Sequence, residues 1–459
     1  MKSLFLFLVC SFGFGVFAQF QVGHTTITFN DPARTGGFGS GGGSGRQIQT
    51  EIYYPATIAG DNVALVSGQF PVITFGHGFA MSWDAYMNVW QRYAAKGYIL
   101  AFPRTESGLL PAPSHGDFGT DLRQVSEKML ALNSNASSIF NGKVAQRALI
   151  MGHSMGGGAT MLASANNSNI VGIVGLAPAE TNPEATLAAP NVTVPALIFS
   201  GTADGVTPAA EHHTPIYNGL ASTCKNFVNI IGGGHCYYAG TNFNCDFGES
   251  TSSPDISINR AQQQQLTYTI LDPWLDFILN ENCTAYASFQ TALSATSGIN
   301  SITNCPSVAP VSISANGAVL SASTTAVSYQ WFFNNSPINN SNSQTYTATQ
   351  DGNYTVEVTY AYGCTTSAPF NYGNGGVGID ENIVAFQLFP NPVTSLLTIK
   401  NTSGRLANYS LLDLSGRIIM NFESFDSNVS LDLSGFSKGN YFLNIASFQG
   451  KQTHRIVKD

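Results

Sequence analysis

Residues 148–158 read Ala148-Leu149-Ile150-Met151-Gly152-His153-Ser154-Met155-Gly156-Gly157-Gly158. The apolar run Ala148 to Met151 leads straight into G-x-S-x-G, where small flanking residues let a strand turn sharply into a helix and leave a serine hydroxyl at the bend. Ala159-Thr160-Met161-Leu162-Ala163 continues small and apolar, as a helix buried under a sheet does. Ser154 is therefore the candidate nucleophile. The same pattern recurs at Gly435-Phe436-Ser437-Lys438-Gly439, but strand-and-turn sequence surrounds it and no apolar helix follows, so Ser437 reads as part of a surface turn.

A serine hydroxyl is a weak nucleophile until a base takes its proton, and the base needs an acid to hold its tautomer and stabilise its cation. A turn of this kind orders the partners Ser, acid, His along the chain. Asp204 fits the acid: Gly201-Thr202-Ala203-Asp204 directly follows the apolar strand Ala196 to Ser200, at the carboxyl edge of a parallel sheet. His235 fits the base, because Gly232-Gly233-Gly234 follows the strand Asn226 to Ile231 and lets the loop swing back over that edge. Other histidines fit less well. His212 and His213 read as helical and solvent-facing, His24 and His454 lie near the mature ends, His115 lies in a loop ahead of the nucleophile, and His153 supports the turn itself. The oxyanion of acyl transfer needs preorganised N–H donors. Met155 supplies one, and Phe79 in Phe75-Gly76-His77-Gly78-Phe79 supplies the other, with His77 structural.

Working outward, candidate strands are Gln47 to Tyr54, Phe70 to Phe75, Tyr98 to Phe102, Arg147 to Met151, Ile170 to Leu176, Ala196 to Ser200 and Asn226 to Ile231. Helices are expected at Trp83 to Lys96, Gly119 to Asn133 and Gln262 to Leu279. This alternation predicts an α/β domain with a largely parallel sheet flanked by helices. Gly36 to Gly45 is nearly all Gly and Ser and reads as a loop rather than a phosphate cradle, since it carries no lysine.

The chain has 459 residues, a net charge of -8 and only 10% charged residues, which excludes nucleic acid and an anionic membrane surface as partners. Lys2, the apolar run Leu4 to Val16 and Val16-Phe17-Ala18 read as a secretory signal over residues 1–18, with Gln19 the mature start. No later stretch is long and apolar enough to span a bilayer, so the mature chain reads as exported and not integral to a membrane. Cys10 leaves with the leader. Cys224, Cys236, Cys245, Cys283, Cys305 and Cys364 remain, with 15 formal pairings. The tightest local choices are Cys236–Cys245 and Cys283–Cys305, the second stabilising by about 3 kcal/mol through loop closure. Cys224 and Cys364, expected in different domains, read as free thiols. No cysteine spacing suits zinc, and no metal or cofactor is expected.

After Cys305 the composition changes to short strands rich in Thr, Ser, Tyr and Val. Tyr329-Gln330-Trp331-Phe332 and Asp351-Gly352-Asn353-Tyr354-Thr355-Val356 resemble an immunoglobulin-like or PKD-like sandwich over residues 306–372, with Trp331 in the core and Tyr354 at the corner. Val356 stands where an antibody domain has its second cysteine. A Gly/Asn linker, 373–381, precedes Phe389-Pro390-Asn391-Pro392, Asp413-Leu414-Ser415-Gly416-Arg417, Leu431-Asp432-Leu433, Gly439-Asn440-Tyr441-Phe442-Leu443 and the tail Ile456-Val457-Lys458. Residues 382–459 thereby resemble the C-terminal sorting domain read by the type IX secretion system. The resemblance implies that machinery as a partner and delivery to the cell surface or medium.

Within the first domain, 19–305, a second resemblance is specific and spans roughly Gln47 to Cys305. Tyr53-Tyr54-Pro55, Gly76-His77-Gly78-Phe79, Gly97-Tyr98, Gly152 to Gly158, Val194-Pro195-Ala196-Leu197, Asp204 and Gly234-His235 resemble the bacterial cutinase and polyester hydrolase (PET hydrolase-like) branch of the α/β-hydrolases, related to chlorophyllase-like and dienelactone hydrolase-like proteins. It implies a lidless serine carboxylic-ester hydrolase: Ser154, His235 and Asp204 catalytic, Phe79 and Met155 in the oxyanion hole and flanking the acyl group. Cys283 and Cys305 fall where that family closes its C-terminal disulfide. Polyester-cleaving members carry a tryptophan wall near the place of Glu180. With Glu180 and Val206 lining the site instead, short-to-medium acyl esters and flexible aliphatic polyesters are expected over rigid aromatic ones. The chain is expected to act as a monomer. The rival readings are a surface-displayed glycan- or polymer-binding protein with a vestigial hydrolase domain, and a serine peptidase on the same fold.

Overall fold

Strand β5 (Val144–His153), which leads into the nucleophile turn, lies in the middle of the principal sheet of the computed structural model. Residues 19–306, 308, 311–360, 363–373, 386–401, 407–424, 426–447 and 450–459 are described. The leader 1–18 and linker positions 374–381 lie outside them. With β1 (Gln21–Asp31), β2 (Arg46–Ala56), β3 (Phe70–Gly76), β4 (Ile99–Pro103), β6 (Gly172–Leu176), β7 (Ala196–Gly201), β8 (Lys225–Ile230) and β9 (Ile299–Asn304), the order is β9-β8-β7-β6-β5-β3-β4-β2-β1. Two short strands, Gly60–Asp61 on β1 and Gly37–Phe38 on β2, bring the sheet to 11. Pairing is parallel from β4 through β8 and antiparallel at β1/β2, β2/β4 and β8/β9.

Alternation along the central strands distributes the core to two faces. Leu149 and Met151 join Ile73 and Phe75 on one face, beneath α1 (Met87–Ala95) and α7 (Arg260–Asn280). Ala148 and Ile150 join Val72 on the other, beneath α2 (His115–Ala131) and α3 (Met155–Ser164). Shorter helices α4 (Ala185–Ala188), α5 (His213–Gly219) and α6 (Phe243–Ser252) sit in the later loops, and α8 (Cys283–Ala295) follows α7. The expected loop at His115 is a helix start: Ser114 accepts the Asp117 amide at 3.2 Å and caps α2.

The sandwich that follows comprises β10 (Ile313–Asn316), β11 (Val319–Ala322), β12 (Ser328–Phe333), β13 (Thr345–Thr347), β14 (Gly352–Thr359) and β15 (Thr365–Tyr372), in sheets ordered β10-β11-β13 and, beyond the short strand Ser336–Pro337, β12-β14-β15. Trp331 is fully buried, its indole N–H donating to Ser343 O at 2.9 Å, and the Tyr354 hydroxyl donates to Gln350 O at 2.9 Å. A single hydrophobic cluster runs from Phe277, Tyr286 and Phe289 to Leu320, Trp331 and Val356. Residues through Tyr372 accordingly pack as one unit. From Gly373 a second unit holds β16 (Phe386–Phe389), β17 (Leu396–Asn401), β18 (Ala407–Leu412), β19 (Ile418–Ser424), β20 (Asn428–Asp432), β21 (Gly439–Ser447) and β22 (Gly450–Lys458). Its sheets are β16-β17-β20 and β19-β18-β21-β22, around Tyr409, Leu443 and Ile456.

Two disulfide expectations are corrected. Cys236 is bonded to Cys245, but Cys283 is bonded to Cys364 and Cys305 to Cys224, so neither Cys224 nor Cys364 is a free thiol. The antiparallel register of β8 and β9 is the cause: Lys225 faces Asn304, so the next pair along the ladder is Cys224 and Cys305. That leaves Cys283, at the start of α8, to reach Cys364 in the β14–β15 turn and tie the sandwich to the α/β domain. Cys283→Ser/Cys364→Ser removes a bridge spanning 81 residues while keeping the shared core. We expect the double variant to melt roughly 3–5 °C below wild type, from about 2–4 kcal/mol of lost cross-linking. Turnover well below the melt is expected to be equal. Identical melting temperatures would show that the bridge contributes nothing.

Candidate active site

Ser154 sits between β5 and α3 with φ 56° and ψ -121°, a strained conformation for a residue with a side chain. Its amide donates to Leu176 O at 3.0 Å, and its carbonyl accepts from Gly158 and Ala179. The glycines permit the crossing: a Cβ on Gly156 would lie 2.2 Å from Gly76 O, and one on Gly152 would lie 2.2 Å from Gly156 O. Met155, first residue of α3, presents an amide with no intrahelical acceptor. Phe79 stands in the loop after β3 and is 49% exposed; among the described residues no carbonyl accepts from its amide.

Asp204 and His235 meet across the ends of β7 and β8. Asp204 Oδ2 is 2.8 Å from His235 Nδ1, and Oδ1 accepts the Val206 and Thr207 amides at 3.0 and 2.8 Å. Thr207 Oγ1 lies 3.1 Å from Asp204 Oδ2, 2.8 Å from His235 Nδ1 and 3.0 Å from His213 Nε2, while His213 Nδ1 lies 2.8 Å from Ser200 Oγ. One assignment satisfies the set: Ser200 donates to His213 Nδ1, His213 Nε2–H to Thr207, Thr207 O–H to Asp204, and His235 Nδ1–H to Asp204. Burial pushes the Asp204 carboxyl up, but His235, His213 and the Thr207 amide outweigh it and hold it below the usual range. His213 is thus fully buried rather than solvent-facing. Its neighbour His212 accepts the Glu180 amide at 2.9 Å through Nδ1.

A second chain of hydrogen bonds joins the loop of Gly78 and Phe79 to His235. Gly78 N–H donates to Tyr86 Oη at 2.8 Å, the Tyr86 hydroxyl meets His153 Nδ1 at 2.9 Å, and His153 Nε2 meets His235 O at 2.9 Å. Tyr86 must donate to a neutral His153 whose Nε2–H donates onward to the carbonyl. His77 is buried between Gly78 O and Thr105 O, each 2.9 Å away.

Burial lowers the pKa of both His153 and His213 to about 3. In the unfolded chain they take up protons below the ordinary value of 6.5, so each weakens the fold as pH falls from about 6.5 towards 3, by about 1.4 kcal/mol per pH unit. Thermal melts of wild type and His213→Gln between pH 7 and 4.5 should show the shallower decline in the variant. Parallel curves would refute a neutral buried His213.

Of the remaining expected site residues, Val206 is 37% exposed beside Asp204. Glu180, expected to line the site in place of an aromatic wall, turns its carboxylate onto backbone amides. Its Oε1 accepts the amides of Thr181, Ala185 and Thr186 at 3.0, 2.5 and 3.3 Å, which caps α4 and uses the charge locally.

Helix α6 touches the loops that carry Phe79, Asp204 and His235. Asn244 Nδ2 donates to Ala80 O at 2.8 Å, the buried Glu249 accepts the His235 and Cys236 amides, Cys245 is bonded to Cys236, and Ser253 Oγ, just past the helix, accepts the Gly205 amide at 2.9 Å. Burial pushes the Glu249 carboxyl up. Cys236, Asp246 and Glu249 bring ligand atoms within 4.8 Å of one another, but the Cys236 sulfur is in a disulfide and Asp246 pairs with Arg260, so the set does not suit a metal.

Residues 18–251, just over half the chain, match the PET hydrolase-like family. The chain belongs to the PET hydrolase-like family. Residues 387–459 match the secretion system C-terminal sorting domain, so this PET hydrolase-like chain carries the type IX export signal. Among curated relatives it is 25% identical to cutinase est1 of Thermobifida alba over 215 residues, covering 46% of this chain and 64% of that protein. It is 24% identical to cutinase 1 of Thermobifida cellulosilytica over 46% of this chain and 72% of that one. With the bis(hydroxyethyl) terephthalate hydrolase of Streptomyces coelicolor it shares 26% identity over 43% and 56% of the two chains. The chain thus spans less than two thirds of the first of these. Among the described residues no helix is long and apolar enough to cross a membrane.

Proposed function

We propose that this PET hydrolase-like chain is an exported, monomeric serine hydrolase of carboxylic esters, acting on short-to-medium acyl esters and flexible aliphatic polyesters. The observation that carries the reading is the hydrogen-bond set around His235. Asp204 and Thr207 occupy Nδ1, and among the described residues no hydrogen bond engages Nε2, which is left free to take a proton. Ser154 stands at the strained turn that such chemistry uses.

In this mechanism Ser154 Oγ gives its proton to His235 Nε2 and attacks the ester carbonyl carbon. The amides of Phe79 and Met155 hold the oxyanion. His235 Nε2–H then protonates the departing alkoxide, leaving an acyl group on Ser154. Water gives a proton to His235 and attacks the acyl carbon; the acid leaves and Ser154 recovers its proton. Asp204 stabilises the imidazolium in both halves. The cutinase relatives support the ester class. A capped Glu180 supplies no aromatic wall, which supports a preference for flexible aliphatic polymers. We place the catalytic domain at 19–305, the sandwich at 306–372, the linker at 373–381 and the sorting domain at 382–459, the last engaging the type IX machinery. A fluorophosphonate probe should label the chain at Ser154. Labelling that persists in Ser154→Ala would sink the reading.

A further inference from the structure

The outer face of α6 carries two exposed aromatic rings. Phe243 and Phe247, one turn apart, stack with ring centroids 6.1 Å apart and planes 20° apart, yet remain 81% and 63% exposed. No free charge accompanies them: Asp246 is paired with Arg260 at 2.6 Å, and Glu249 is buried against the His235 loop. The exposed helix hydroxyls bond back to the helix's own carbonyls. Ser250 donates to Phe247 O at 2.8 Å, and Thr251 and Ser252 each donate to Gly248 O at 2.9 Å. The result is an uncharged aromatic face whose polar groups are satisfied by its own backbone. Isolated exposed apolar residues are ordinary, but a contiguous apolar patch of this kind marks an interaction site.

Its position sets the partner. The helix begins against Ala80, next to the half-exposed Phe79, holds His235 and Cys236 at its middle, and ends against Gly205, next to the exposed Val206. The disulfide and the buried carboxylate fix α6 to the base loop, so the aromatic face is rigid relative to the reacting groups. We propose that Phe243 and Phe247 form a docking surface for the neutral, apolar chain of an aliphatic polyester, seating the polymer beside Ser154. This deepens the ester-hydrolase reading and rests on it.

The test separates adsorption from turnover. In the full mature chain carrying Ser154→Ala, binding to polycaprolactone film is compared with and without Phe243→Ser/Phe247→Ser, and with Val327→Ser, an exposed apolar residue of the sandwich, as control. The double variant should adsorb roughly tenfold more weakly, from lost aromatic burial, and Val327→Ser should adsorb as its parent does. With Ser154 intact, the ratio of film hydrolysis to soluble butyrate hydrolysis should fall by a similar factor. Thermal melts confirm that the double variant is folded. Adsorption within about twofold of the parent, or an equal loss in the control, would overturn the proposal. So would concentration-dependent dimerisation abolished by the double variant, which would assign the face to a second copy. Failure of the ester reading would appear differently, as wild type turning over no ester while adsorption still depends on the two phenylalanines.

Discussion

Ser154→Ala should lower kcat on a soluble butyrate ester by about 10³–10⁶-fold while leaving the melting temperature near that of wild type. Removing a nucleophile leaves only ground-state binding and the oxyanion donors, and residual acceleration from those alone is small. The fold should be indifferent because the turn is held by backbone: Ser154 donates through its amide to Leu176 O and accepts through its carbonyl from Gly158 and Ala179, and alanine keeps all three bonds. Alanine also inherits the same strained φ of 56°, so no conformational strain is relieved. Fluorophosphonate labelling, being stoichiometric, should vanish with turnover. Retention of more than about a tenth of the wild-type rate would remove Ser154 from the chemistry.

Much of this site is legible in the sequence because the residues proposed to react follow closely on buried parallel strands. β5, β7 and β8 each end in a glycine-rich or polar turn, and the apolar-to-turn transition locates Ser154, Asp204 and His235 without any knowledge of side-chain packing. The supporting residues lack such a marker. His213 opens a seven-residue helix, too short for periodicity to distinguish its buried face from the exposed one carrying its neighbours. Tyr86 meets His153 across 67 residues of chain, a contact that no local pattern encodes. The disulfide pairing depended on β9, whose residues Ile-Asn-Ser-Ile-Thr-Asn form a mostly exposed edge strand without apolar alternation. Helix α6, Phe-Asn-Cys-Asp-Phe-Gly-Glu-Ser-Thr-Ser, is weakly amphipathic: Asn242 at its cap is a start signal, but the disulfide and buried carboxylate that fix it do not read as helix signals. The engagement of Glu180 is not legible either: its place in the chain puts it near the site, but only the fold shows the three backbone amides that claim its carboxylate.

Asp204→Asn should reduce kcat on the same ester by about 10³–10⁴-fold at neutral pH, the effect being electronic and tautomeric rather than structural. Oδ1 of an asparagine can still accept the Val206 and Thr207 amides at 3.0 and 2.8 Å, so the loop after β7 should keep its shape. The amide nitrogen would then take the place of Oδ2, which faces His235 Nδ1 at 2.8 Å and Thr207 Oγ1 at 3.1 Å. A nitrogen donor there cannot accept from Nδ1–H, so His235 is driven to the tautomer with its proton on Nε2, the atom that must receive the serine proton. Loss of the carboxylate also removes the charge that stabilises the imidazolium formed with each tetrahedral intermediate. Thr207 and His213 would have to reverse their donation, but Ser200 can accept as readily as it donates, so the buried set can rearrange without an orphaned group. The variant is therefore expected to fold, to retain substrate binding with a KM close to that of wild type, and to lose rate in kcat. A kcat within tenfold of wild type would show that Asp204 only shapes the loop, and that His235 is held in its working tautomer by Thr207 instead.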